Sequence, residues 1–78
     1  MTHELKVAPM DFEAVKNGVK TFELCFNDRN YRVNDCIIVR ECKEGECTGR
    51  ERKGFVLYVL YSHEGLKSGW VIMAIEWA

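Results

Sequence analysis

The sequence predicts a small α+β domain, a β-barrel or curled sheet of about five strands with one short helix near its N-terminus. Three observations carry that expectation. Strand-like runs recur along the chain, and the runs at residues 21–26 and 70–77 alternate with period two. A single early segment, opening at Pro9 and closing at Lys16-Asn17-Gly18, has helical spacing instead. With 78 residues, 47% of them hydrophobic, the chain has material for one core and for no second. Residues 1–78 are therefore read as a single domain.

The elements follow in order. Residues 3–7 form a first short strand that ends at Ala8-Pro9. Pro9 suits a first helical position because its missing N–H would be an orphan there in any case. Asp11 and Glu13 favour the positive end of the helix dipole, and Met10, Phe12, Ala14 and Val15 supply apolar faces. Gly18 is the expected left-handed cap. In the next strand Phe22, Leu24 and Phe26 point one way and Thr21, Glu23 and Cys25 the other. Asn27-Asp28-Arg29-Asn30 is a turn by composition, and a second turn at Asn34-Asp35 leads into a strand over 36–42. Lys43-Glu44-Gly45-Glu46 reads as a hairpin connection. The return strand starts near Cys47, is expected to break near Gly49, and resumes by Phe55. The run FVLYVLY at 55–61 is apolar on both parities, which predicts cover on both faces. A loop over 62–69 precedes the final strand, with Val71, Met73, Ile75 and Trp77 on one face.

Charge narrows the function classes. The net charge of -1 excludes a strongly basic nucleic-acid coat. Only residues 29–53 are mildly basic, with seven Lys/Arg against five Asp/Glu. The sequence shows no signal-peptide pattern and no run long enough to span a bilayer, so it is read as cytoplasmic and independent of membranes. Four cysteines, Cys25, Cys36, Cys42 and Cys47, lack the paired spacing of a structural zinc site and are read as reduced, partly buried thiols. No metal or cofactor is expected.

The segment GVKTFELC, residues 18–25, is the candidate site. Helix end, strand start and the following loop would converge at one rim of the barrel. There Lys20 would meet a phosphate or a polarised carbonyl, and Glu23 would accept hydrogen bonds from a base or an amine. Arg29 and Tyr31 combine a guanidinium with an aromatic, which suits phosphate contact and stacking. The alternative is a wet strand face on which Lys20 and Glu23 make an exposed ion pair of little value, with Tyr31 packed at the barrel mouth.

Gly18-Val19-Lys20-Thr21-Phe22-Glu23 resembles the G-x-K-x-x-E core of ASCH domains, a PUA-like β-barrel superfamily. Residues 31–38, YRVNDCII, resemble that family's V-G-D-x-[IV] turn, with Asn34 in place of glycine. Asn tolerates left-handed backbone, so the exchange is mild. The resemblance covers nearly the whole chain and implies an ASCH-type, PUA-like barrel. Its cleft would bind RNA or a nucleotide-like ligand through Gly18, Lys20 and Glu23, with Arg29, Tyr31 and Arg40 in support. One departure stands out: the family's arginine two residues after the glutamate is Cys25 here.

Two further classes compete. Some small ASCH proteins resemble amidohydrolases acting on a modified nucleoside, and Lys20 matches their lysine. Glu23, however, occupies the nucleophile position, and a carboxylate cannot perform the acyl transfer of a hydroxyl. A protein-interaction module would use Trp70 and Trp77 as anchors; the plain alternative is that both fill the core.

Overall fold

A computed structural model describes residues 1–61 and 63–78. The chain forms β1 (Thr2–Val7), α1 (Pro9–Lys16), β2 (Phe22–Phe26), β3 (Cys36–Lys43), β4 (Glu46–Leu60) and β5 (Trp70–Trp77). The strands make a single sheet of order β1-β3-β4-β5-β2. Only β1 and β3 run parallel; the other neighbours are antiparallel. The sheet curls into a half-barrel with one helix, as the alternation and the early helical segment predict. Its two edge strands, β1 and β2, remain unpaired with each other. Among the described residues no helix is long and apolar enough to cross a membrane. The expected loop over 62–69 includes Ser62, which lies outside the described residues.

The core lines the inner face. Ile37 and Val39 of β3, Val56 and Val59 of β4, and Val71, Met73 and Ile75 of β5 meet Phe12 and Val15 of α1. A helix of barely two turns is unstable alone, so it is held by contacts. Arg50 donates to Glu13 on α1 at 2.8 Å and to the buried Glu41 on β3 at 3.4 Å, and its guanidinium lies over the Phe12 ring. Arg52 Nη1 reaches the Lys16 carbonyl at the helix end. At the barrel's start, buried His3 sits 2.8 Å from Asp35 and edge-on to Tyr31. Asp35 also accepts from the Arg32 N–H and the N-terminal ammonium, which ties β1 to the turn before β3.

Three expectations need correction. The return strand does not break at Gly49. It runs through as β4, because a register shift between Arg40 and Cys42 absorbs the positive φ of Gly49 as a bulge. The FVLYVLY run is not covered on both faces. A second shift between Val56 and Tyr58 inserts Leu57, so Val56 and Val59 both point inward while Phe55, Leu57, Tyr58 and Tyr61 stay exposed. Finally, Cys42 and Cys47 are not reduced thiols; they form a disulfide. The two-residue turn at Glu44 and Gly45, both at positive φ, makes them direct cross-strand partners. Cys25 and Cys36 remain free.

Candidate functional site

Gly18 adopts φ +75° at the end of α1, where its N–H donates to the Val15 carbonyl at 3.1 Å. The N–H groups of Val19 and Lys20 both return to the Ala14 carbonyl. This stop turns the chain sharply into β2. No atom lies within 4 Å of a Cβ built on Gly18, so the glycine serves the backbone angle and not a close approach. Trp77 Nε1 donates to the Lys20 carbonyl at 2.8 Å and fixes the start of β2 against β5. Trp77 is thus partly buried against the core. Trp70 is more exposed, at the far end of β2 from Lys20, opposite Phe26.

The alternation of β2 is as predicted, but its polar face is the inner one. Glu23 is 6% exposed and Cys25 packs against the core, whereas Phe22, Leu24 and Phe26 face outward. The wet-face alternative for Glu23 therefore fails. Lys20 Nζ lies 3.2 Å from Glu23 Oε1 and 3.7 Å from Asp11 Oδ1. The Lys20 ammonium is the only partner within reach of the buried Glu23 Oε1 among the described residues, and no neutral donor joins it. Burial raises the Glu23 carboxyl above its ordinary pKa, and the Lys20 charge offsets this only in part.

Glu23 opens onto a cleft of about 570 Å³ between the two edge strands, which is the seam of the half-barrel. Its walls are Glu4 to Val7 of β1, Glu23 to Cys25 of β2, and the side chains of Arg29 and Arg40. Arg29 crosses the seam and donates to the Glu4 carbonyl on the free edge of β1. Arg40 pairs with Glu4 and, at 2.6 Å, with Glu51. Lys6 adds a further cation on the β1 side. The seam thus holds the buried Glu23 carboxylate on its inner side, paired with Lys20. Lys6, Arg29 and Arg40 stand along its rim, Lys6 and Arg40 on the outer side by the alternation of β1 and β3.

Of the residues singled out in the sequence, Glu23, Arg29 and Arg40 line this cleft, and Lys20 reaches it through Glu23. Gly18 stands behind, shaping the turn. Tyr31 does not join them. It is 5% exposed, and burial first, with the neighbouring Cys25 thiol, pushes its hydroxyl up to about 12. Its ring contributes to a different cleft, about 1010 Å³, walled by Tyr58, Tyr61, Lys67 and Trp70. That cleft is larger, and its walls include no buried carboxylate among the described residues. Burial also raises the Cys25 thiol, which keeps it protonated and poorly nucleophilic at neutral pH. Sequence reasoning missed Glu4, Lys6 and Asp11 as site residues. Asp11 was legible only as a helix-dipole residue, and nothing local marks β1 as the opposite wall. Among the described residues no group of three or more His, Cys, Asp and Glu is placed to hold a metal ion.

The profile of a protein family described as a domain of unknown function, DUF3850, matches residues 2–75. The chain belongs to the DUF3850 family. No curated protein matches it significantly. The DUF3850 match spans all five strands of the half-barrel and hence both walls of the seam.

Proposed function

We propose that this DUF3850 protein binds RNA or a nucleotide-like ligand in the seam between β1 and β2, on a compact ASCH-type, PUA-like half-barrel. The observation that carries the reading is the Glu23 carboxylate, largely buried, held by Lys20 at 3.2 Å and lining the cleft between β1 and β2. A carboxylate offers more acceptor positions than one ammonium fills, so a ligand's N–H has a lone pair to bond on its cleft side. An exocyclic amine or ring N–H of a base is such a donor, and support for a phosphate comes from Lys6 and Arg29 lining the same cleft, Arg40 there being already paired with Glu4 and Glu51. The curled sheet and the G-x-K-x-x-E segment are compatible with the ASCH architecture, which adds RNA to the expected ligands. Hydrolysis finds less support, because Cys25 stays protonated and Glu23 takes the nucleophile position.

An amide NMR titration with short single-stranded RNA, the matching DNA and free cytidine derivatives tests the proposal. Shifts gathered at Glu4–Val7, Lys20–Cys25 and Arg29, and lost in Glu23→Gln, are the expected result. Shifts gathered instead around Tyr58, Tyr61 and Trp70 would move binding to the other cleft, and silence with every ligand would remove the RNA reading.

A further inference from the structure

The apolar side chains on the outer face are contiguous. Phe22, Leu24 and Phe26 on β2 stand opposite Ala74, Ile72 and Trp70 on β5. One strand further, on β4, Tyr58 pairs with Ala74 and Leu60 with Ile72. Two cross-strand rows result, Phe22–Ala74–Tyr58 and Leu24–Ile72–Leu60, flanked by the edge-to-face pair Phe26 and Trp70 with ring centroids 6.0 Å apart. Phe22, Leu24, Phe26 and Tyr58 are 48 to 61% exposed. No charged residue occupies a register position within these rows. Outer-face charges stand around the rows: the Glu4–Arg40–Glu51 ladder across β1, β3 and the first half of β4, Glu76 on β5 opposite Phe55, and the Lys20 ammonium 5.7 Å from the centre of the Phe22 ring.

Area decides what such a face fits. A half-exposed aromatic leaves about 100 Å² in water, so Phe22, Phe26, Tyr58 and Trp70 with the aliphatic neighbours make a patch of about 600 Å². That is the upper end of what a monomer displays. Two such patches pressed together bury about 1,200 Å², the lower bound of a specific protein interface. A charge-free centre matches the apolar composition of homodimer interfaces, and a two-fold axis lets one patch serve as its own complement.

We propose that the chain forms a two-fold homodimer in which the outer faces of β4, β5 and β2 pack sheet on sheet, with strand directions within about 30° of each other. Glu23 points to the opposite face of β2 and takes no part in this pairing, whereas Leu24 belongs both to the patch and to the seam wall. Tyr58→Glu, away from the seam, is therefore the variant that separates the dimer from ligand binding there.

Sedimentation velocity over a wide concentration range, with circular-dichroism melts to establish folding, tests the dimer. The wild type should sediment at twice the monomer mass, while Leu24→Glu and Tyr58→Glu each lose the dimer and still melt cooperatively. Val33→Glu is a control, because Val33 is equally exposed at 50% but lies in the loop before β3; it should remain dimeric. If one charged variant fails to fold, the other decides. A wild type that stays monomeric at every concentration, or charged variants that stay dimeric, would overturn the proposal.

Discussion

Glu23→Gln keeps the shape of the side chain and removes its charge. Two terms set its effect on stability. Burial makes the charged carboxylate costly in the folded state, and the neutral amide removes that desolvation of charge. Against that, the largely buried Lys20 contact is lost, although Lys20 keeps Asp11 at 3.7 Å; the raised pKa of Glu23 shows that desolvation outweighs this pairing. The net is a stabilisation of about 0–2 kcal/mol, or a Tm rise of up to about 10 °C for a chain of this size. The pH dependence fixes the sign. Burial raises the folded-state pKa of Glu23 above its ordinary value of 4.5, so the folded protein holds this proton more tightly than the unfolded chain does. Stability from this group is therefore greatest at acid pH, declines as pH rises from 4.5 through the folded value, and is level above it. The variant's advantage should be small near pH 4 and grow as pH rises above 4.5. Thermal melts of both proteins across that range measure it, with an RNA titration at pH 7 in parallel. A variant that melts lower than wild type at pH 7, or an offset independent of pH, refutes the reasoning. A variant that melts as expected yet binds RNA unchanged would separate the buried charge from ligand recognition.

Other substitutions probe other parts of the argument. Arg29→Ala should weaken RNA binding and reduce the slope of log affinity against log salt by about 0.7 for a single-stranded ligand; an unchanged slope would take Arg29 off the phosphate path. At Gly54 a Cβ would stand 2.7 Å from the Glu76 carbonyl oxygen and from atoms of Ile75 and Trp77, so Gly54→Ala should cost about 1–3 kcal/mol, read as a lower midpoint in urea. The double substitution Cys42→Ser, Cys47→Ser opens a short loop whose closure is worth about 2 kcal/mol by chain entropy, and a melt unaffected by it would show that the hairpin needs no crosslink. Asp35 is held below its ordinary value of 3.8, first by His3, and so contributes stability that is lost as pH falls through its folded value. Asp35→Asn should lower Tm at pH 7 and flatten the acid limb of Tm against pH; a steeper limb would contradict that sign.

The sequence by itself determined the features that depend on a few neighbouring residues. The Gly18 stop is one, since only the local backbone angle is involved, and Asn34 is another: it takes φ +75° where a glycine would be expected. The hairpin at Glu44-Gly45 and the alternation of β2 were legible for the same reason. Tertiary structure decided which face of β2 turns inward. Alternation gives a period and no direction, and the direction was set by pairing with β5, whose Val71, Met73 and Ile75 are core. Long-range pairing also set the course of β4, where bulges opposite β3 and β5 carry the strand through Gly49 and swing Leu57 and Tyr58 outward. The seam itself is the least local feature. Residues Glu4 to Val7 come beside Glu23 and Arg29 only because β1 joins β3 at one end of the sheet, β2 joins β5 at the other, and the curl brings these edges together.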